Sequence, residues 1–148
     1  MAAGSKWSIA RVYALVFGIA YLGVTAVELI LGSGGYKVGS QLILKATPEQ
    51  TTIHALVGLA VLGSFFAGDA VAKLVARAVG IVFVAVSALG IFARTFTGKL
   101  LGFHGPLPWS YNAVHLLTMA AALFAGFAVE KAYGQRAAGP SPRQSLAS

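Results

Sequence analysis

Two histidines occupy matching places in the sequence, each near the start of an apolar segment. His54 follows Ile53 in one segment, and His115 follows Val114 in another. Neutral imidazole is a common ligand of haem iron, zinc and copper, so a pair on facing helices could hold haem b or a divalent metal. The structural alternative is that each imidazole makes a hydrogen bond between helices, to a backbone carbonyl or to Asn112.

Glu28 and Arg94 are ionisable residues near the ends of the other two apolar segments. An ion pair between them would hold two helices together, because unpaired charges at membrane depth are rare. A proton or ion relay is the functional alternative, and either side chain could instead extend to the membrane surface. Glu28 could also complete a zinc or copper centre with His54 and His115, which His104 could join.

These polar residues are predicted to meet in the extracytoplasmic half of a helical bundle. Spacings of three and four residues place them on stripes with small residues, which marks helix–helix contacts rather than a lipid-facing surface. The stripes are Gly18, Tyr21, Thr25 and Glu28; His54 and Gly58; Gly80, Phe83, Ser87, Gly90 and Arg94; and His115, Thr118, Met119, Ala122 and Gly126. The predicted buried polar cluster comprises Glu28, His54, Arg94, Asn112 and His115.

Four apolar segments must position this cluster, and they cover approximately residues 11–31, 51–67, 75–96 and 112–129. Each is near the roughly 20 residues that a helix needs to cross about 30 Å of hydrocarbon. Residues 47–50, Thr-Pro-Glu-Gln, have the pattern of a helix start, so the second helix is expected to begin near Pro48 and to end before Gly68. The predicted fold class is therefore all-α, an integral membrane four-helix bundle.

The composition of the 148 residues supports a membrane protein. Hydrophobic residues make up 57% and charged residues only 10%, and the mean hydropathy is +0.79, whereas soluble domains carry about 25% charged residues. The net charge of +7 comes from basic residues scattered between apolar segments, so no nucleic-acid partner is expected. The chain has no Cys and only four acidic residues, which excludes thiolate chemistry and carboxylate-rich metal cages. It has no recognised catalytic motif, and we expect it not to be an enzyme.

The distribution of Lys and Arg predicts the topology. Seven basic residues flank one side of the predicted spans and four the other, which favours both termini in the cytoplasm of a bacterium with the helices in its cytoplasmic membrane. The predicted division is a cytoplasmic N-terminal segment (1–10), a transmembrane domain (11–131) and a flexible cytoplasmic tail (132–148). Trp7, Trp109 and Tyr111 are expected to anchor the protein at the membrane interfaces.

The two halves of the chain resemble each other. Arg11 and Arg77 begin the first and third segments, and each is followed seventeen residues later by an ionisable residue, Glu28 or Arg94. With His54 and His115 in the second and fourth segments, this pattern is typical of two tandem helical hairpins.

The segment LLGFHGPLPWSYNAVHLL (residues 100–117), with His54 and Gly58 earlier in the chain, resembles an uncharacterised four-helix membrane family of actinobacteria and cyanobacteria, a domain of unknown function. The resemblance extends over approximately residues 11–126 and implies the four-helix fold but no activity. Such families often have Asn and His together before the second and fourth helices. Asn112 follows that pattern, whereas Thr51 departs from it.

These features favour a small non-catalytic protein, an accessory or structural subunit of a larger bacterial membrane complex such as a respiratory assembly. Its expected partners are the lipid bilayer and other membrane subunits, and no cofactor is expected. Two alternatives stay open: a membrane protein that binds haem b or a divalent metal through His54 and His115, and a small oligomeric ion or proton transporter.

Overall fold

A computed structural model describes residues 7–32, 36–38, 41–44 and 47–128. In chain order the described elements are α1 (Ile9–Leu31), β1 (Tyr36–Val38), β2 (Gln41–Leu44), α2 (Pro48–Ala67), α3 (Asp69–Phe92), α4 (Arg94–Leu100) and α5 (Trp109–Phe127). Helices α1, α2, α3 and α5 are long and apolar enough to cross a membrane. The predicted all-α bundle of four spans is confirmed. The chain is a small multi-pass membrane protein that resides in the lipid bilayer.

The start of α2 forms as its sequence predicts. The Thr47 hydroxyl accepts a hydrogen bond from the Gln50 backbone N–H at 3.2 Å, and Pro48 is the first helical residue. A side-chain cap of this kind satisfies one of the backbone donors that the first turn leaves without a partner. Gly68, with a φ of 104°, ends the helix. The short second segment therefore becomes a full membrane span.

The third span ends earlier than the prediction. It begins at Asp69, before the apolar run itself, and it ends at Phe92 instead of continuing to residue 96. Ala93 adopts φ −129° and ψ 44°, outside the helical region, and Arg94 begins the separate helix α4. This break moves Arg94 off the α3 stripe on which the sequence pattern placed it.

The four spans are arranged as two helical hairpins, α1 with α2 and α3 with α5. Within each hairpin a glycine lies directly against a leucine of the partner helix. A Cβ added to Gly18 would lie 2.7 Å from the backbone nitrogen of Leu62, and one added to Gly80 would lie 3.0 Å from that of Leu123. Small residues at such crossings allow backbones to approach closely, which is how helices associate where lipid supplies no hydrophobic drive.

Both hairpins carry the same arginine contact at one end of the bundle, called here the Arg11 end. The Arg11 Nε donates to the carbonyl of Phe65 at 3.1 Å, and the Arg77 Nε donates to the carbonyl of Gly126 at 2.7 Å. Arg77 lies 66 residues after Arg11, and Gly126 lies 61 residues after Phe65. The same offsets relate Glu28 to Arg94 and His54 to His115, so the predicted tandem repeat is present in the structure.

Small side chains fill the bundle near the Arg11 end. The buried core there consists mainly of alanines, together with larger side chains: Ala10, Tyr13, Ala14, Val61, Phe65, Ala72, Ala76, Ala122 and Ala125. The Ser8 hydroxyl donates to a carboxylate oxygen of Asp69 at 2.9 Å, and Arg11 lies 3.8 Å from the same oxygen. These contacts join the start of α1 to the start of α3 and so tie the two hairpins together.

The connections at the opposite end, called here the site end, differ between the hairpins. Strands β1 and β2, which the sequence analysis did not predict, pair antiparallel between α1 and α2. Residues 94–108, the α4 cap, connect α3 to α5 and fold back on themselves, with the Leu107 N–H donating to the carbonyl of Arg94 at 3.0 Å. Phe103, Leu107 and Tyr111 form a small buried core under this cap.

Of the three predicted interfacial anchors, Trp7 and Trp109 are exposed, whereas Tyr111 is buried. The expectation for Tyr111 is therefore wrong, because its ring packs edge-on against Phe103 at 5.1 Å. The predicted tail 132–148 lies outside the described residues, as do most of segment 1–10 and the basic residues Lys6, Lys45, Lys131, Arg136 and Arg143. The cytoplasmic orientation of both termini stays a prediction.

Candidate functional site

A cavity of about 370 Å³ lies between the two hairpins toward the site end. His54 of α2 and His115 of α5 both line it, and residues of α1 and α3 complete its walls. Aromatic side chains contribute much of the remaining lining: Phe17, Tyr21, Phe83 and Tyr111. The structure thus brings to one cavity the two histidines that the sequence analysis singled out. The cavity itself was not predicted from the sequence.

His54 is held by Glu28 inside the first hairpin. Its Nδ1 lies 2.9 Å from Glu28 Oε1 and 3.0 Å from Oε2, and the Glu28 residue is 1% exposed. An ionised Glu28 carboxylate accepts this hydrogen bond from the Nδ1–H of His54. A buried carboxylate without such a partner would be strongly unfavourable in hydrocarbon. The contact fixes the orientation of the His54 ring and leaves Nε2 as its other polar atom.

The predicted ion pair between Glu28 and Arg94 is wrong. Arg94 donates from both Nε and an NH2 group to the carbonyl of Leu107, at 3.1 and 2.8 Å, within the α4 cap. Its guanidinium carbon also lies 4.3 Å from the centre of the Trp109 ring. The physical reason is the helix break at Ala93, which begins a new helix at Arg94 and turns its side chain toward the cap.

His115 lacks the fixed partner that His54 has. Its Nδ1 is buried and makes no hydrogen bond within the part of the chain that the structure describes. The ring packs edge-on against Phe83, with centroids 5.6 Å apart. The hydrogen bond between helices that was expected at each histidine is therefore present at His54 but not at Nδ1 of His115.

Asn112 belongs to the second hairpin and contacts the backbone rather than a histidine. Its Nδ2 donates to the carbonyl of Gly90 at 2.7 Å, and the residue is 2% exposed. A Cβ at Gly90 would collide with the Asn112 amide oxygen, so only glycine fits beside it. Asn112 thus joins α5 to α3 next to the cavity, where the sequence analysis expected a residue of the polar cluster.

Ring contacts connect the two imidazoles through Tyr21 and Phe83, which also line the cavity. The His54 ring lies 5.9 Å from Tyr21, Tyr21 lies 6.5 Å from Phe83, and Phe83 lies 5.6 Å from His115, all measured between centroids. The sequence analysis placed Tyr21 and Phe83 on the buried stripes but did not assign them to the site. Their helical spacing from Glu28 and Gly90 was the signal that could have done so.

The alternative of a metal centre built from Glu28, His54 and His115 is not formed. Within the described residues, which include all three histidines and Glu28, no three His, Asp or Glu side chains come close enough to hold a metal ion. His104 is exposed in the α4 cap and does not line the cavity. Arg94, a basic side chain of the kind that pairs with haem propionates, donates to the Leu107 carbonyl instead. The geometry offers a ligand two imidazoles beside a mostly apolar space, whose lining also includes Tyr21, Gln50, Tyr111 and Thr118.

No family model, curated protein or solved structure matches this chain. The resemblance to a four-helix family therefore stays a prediction from residues 100–117, His54 and Gly58. The fold and the cavity define the class directly: a small multi-pass membrane protein built from two similar helical hairpins, with a histidine-lined cavity between them.

Proposed function

We propose that this protein is a non-catalytic membrane protein that binds a small lipid-soluble molecule in the cavity between its hairpins. The observation that carries the proposal is the cavity itself, apolar in most of its lining and bordered by the two histidines. Small-molecule sites are typically concave and mostly apolar, with a few polar groups that orient the ligand, and their volumes begin at about 300 Å³. The cavity between the hairpins has these properties.

The position of the cavity supports entry of the ligand from the bilayer. Val82 on α3 and Leu117 on α5 line it, yet each is more than half exposed on the surface of the bundle. Ile53 on α2 also lines the cavity and is exposed. Because these side chains belong to membrane spans, their exposed faces contact hydrocarbon rather than water. A molecule dissolved in the bilayer can therefore reach the cavity without crossing the aqueous phase.

The accessory-subunit role is compatible with ligand binding and belongs to the same proposal. A small protein without catalytic motifs can hold a lipid-soluble molecule beside a larger complex that uses it. Purification in a mild detergent is expected to recover stoichiometric membrane partners. Recovery of the protein alone, in an active ligand-binding form, would contradict the subunit role but leave ligand binding in place.

The transporter alternative receives less support from the packing. A path across the membrane would have to continue from the cavity to the Arg11 end, where the alanine-rich core closes the bundle. Flux of ions into liposomes is therefore expected to equal that of protein-free liposomes. A flux that Glu28→Gln abolishes would favour the transporter over the proposed function.

The test of ligand binding compares two tryptophan substitutions at neighbouring positions of α3. Val82 lines the cavity and is 57% exposed, whereas Ile81 does not line it and is 60% exposed. Val82→Trp is expected to obstruct the cavity, while Ile81→Trp adds the same side chain to the lipid-facing surface. Apolar molecules extracted from each purified protein are identified by mass spectrometry. We expect one species to be retained by the wild type and Ile81→Trp and lost from Val82→Trp; equal retention in all three would contradict the proposal.

A further inference from the structure

We propose, on the basis of the ligand-binding function above, that the ligand is an isoprenoid quinone, whose uncharged ring occupies the cavity with its carbonyl oxygens hydrogen-bonded by His54 and His115. Four properties of the site support this assignment: its charge, its polar groups, the shape of its aromatic lining and the position of its opening.

The charge of the site favours an uncharged polar ring. Among the described residues that line the cavity there is no Lys, Arg, Asp or Glu. Glu28 stands behind His54, so even a protonated His54 is neutralised by its partner and offers no net positive charge to an anion. Arg94 is held by the Leu107 carbonyl. A fatty-acid carboxylate or a phosphate would therefore enter a low-dielectric space without a counter-ion, which is strongly unfavourable.

The polar groups of the site suit carbonyl acceptors. In its imidazolium form, paired with the Glu28 carboxylate through Nδ1, His54 donates a hydrogen bond from Nε2. His115 lines the cavity, and its Nδ1 is buried without a hydrogen-bond partner in the described part of the chain, so a rotation of the ring presents that atom to a ligand. An orphaned polar atom of this kind is unfavourable unless a ligand or water satisfies it. A quinone carries two carbonyl oxygens on opposite sides of one ring, and the two imidazoles come from opposite hairpins.

The lining between the imidazoles suits a flat ring. Tyr21 and Phe83 line the cavity and connect His54 to His115 through ring contacts, with their own centroids 6.5 Å apart. Aromatic rings pack favourably against one another in offset or edge-on arrangements. The cavity of about 370 Å³ is near the lower limit for small-molecule sites, which suits a quinone ring with the start of its tail better than a larger macrocycle.

The opening of the cavity suits the tail of the quinone. Val82 and Leu117 line the cavity and are exposed toward hydrocarbon. An isoprenoid chain could extend past these apolar side chains into the bilayer while the ring stays between the hairpins.

The experiment measures binding of a benzoquinone with one isoprene unit to the protein in lipid nanodiscs, with protein-free nanodiscs as the reference for partition into lipid. We expect saturable binding and a lowered carbonyl stretching frequency in the infrared spectrum of the bound quinone. His115→Phe is expected to weaken binding about tenfold, the loss of one hydrogen bond. His104→Phe, which alters the exposed third histidine, is the matched control and should bind as the wild type does.

His54→Phe is expected to weaken binding by at least the same factor, but it also leaves Glu28 without its partner. His115→Phe leaves the Glu28–His54 contact intact and therefore carries the test if His54→Phe does not fold. Equal quinone binding by His115→Phe and wild type would overturn the assignment of His115.

The other outcomes separate this inference from the proposed function. If the molecule lost from Val82→Trp is a fatty acid or a phospholipid, or if the purified protein shows the Soret band of haem, the quinone assignment is wrong while ligand binding stands. If no apolar molecule is retained and no quinone binds, both proposals are wrong. Saturable quinone binding that Val82→Trp removes and Ile81→Trp preserves would support both.

Discussion

The two helical hairpins are alike at the Arg11 end and different at the site end. In both, an arginine of the first helix donates to a carbonyl near the end of the second helix, and its guanidinium lies about 5 Å from a phenylalanine ring, Phe65 or Phe127. At the site end, the first hairpin has a buried acid that holds its histidine. The second hairpin has Arg94 in the corresponding sequence position, turned away into the α4 cap.

This difference shows how a repeated scaffold can create an asymmetric site. The Arg11 end repeats because it has only to hold two helices together, and the same contact does this in each hairpin. At the site end, the Glu28 carboxylate orients His54, whereas His115 is left without a bond at Nδ1. One imidazole is thus held by a carboxylate and the other is not, which two identical halves would not provide.

The largest expected effect is a difference in stability between variants of the two histidines. His54→Leu leaves the Glu28 carboxylate buried without a partner, and we expect it to lower the free energy of unfolding by about 3 kcal/mol. His115→Leu removes a polar atom that has no partner and is expected to change it by less than about 0.5 kcal/mol. Unfolding by sodium dodecyl sulfate in mixed micelles measures both. The double substitution of Glu28 and His54 by Leu should recover most of the loss; equal effects of the two single substitutions would contradict the asymmetry.

The next largest effect concerns Gly90, the glycine beside Asn112. The equivalent position in the first hairpin, 66 residues earlier, is Val24, so Gly90 has no counterpart there. Gly90→Ala would place a methyl group against the amide oxygen of Asn112, and we expect it to lower the free energy of unfolding by about 2 kcal/mol. Gly23→Ala on α1 is the control, because a Cβ there meets nothing within 4 Å. It is expected to be neutral or to stabilise the helix by up to about 1 kcal/mol. A tolerated Gly90→Ala would show that α3 and α5 can separate at this point.

The shared arginine contact predicts two similar effects. Arg11→Ala and Arg77→Ala each remove a charged hydrogen bond to a carbonyl, and each is expected to lower the free energy of unfolding by about 1.5 kcal/mol. Arg11 also lies near Asp69, so its effect should be slightly the larger. Lysine at either position should not restore the wild-type value, because it lacks the planar guanidinium that stacks on the phenylalanine. A large loss of stability at one position and none at the other would mean that the two hairpins share the arginine contact but do not gain similar stability from it.

The smallest effect tests the start of α2. Thr47→Ala removes the side chain that accepts from Gln50 and donates to the carbonyl of Leu101 at 2.9 Å, and we expect a loss of about 1 kcal/mol. Thr47→Ser keeps both hydrogen bonds and serves as the control. Because α5 begins after Pro108 without a side-chain cap, it has no equivalent residue to lose. A loss with Thr47→Ser as large as with Thr47→Ala would assign the effect to the methyl group instead.

Local patterns predicted the helices well and the contacts between them only in part. The cap at Thr47 and the stop at Gly68 depend on neighbouring residues, and both formed where expected. The arginine repeat was also visible as a spacing. The partner of Glu28 was not, because His54 and Arg94 are both far from it along the chain and both suit a carboxylate. The break at Ala93 decided between them, and no Pro or Gly in residues 91–93 indicates that break.

The amino-acid sequence by itself determined that the chain crosses the membrane four times as helices, since apolar segments of this length can satisfy their backbone groups in lipid only as helices. It also determined which faces are buried, through the spacing of small and polar residues. Only the tertiary structure decided which polar groups meet and that a cavity separates the hairpins. Those features depend on how closely whole helices approach one another, and that distance is the joint result of glycines, leucines and arginines spread over the entire chain.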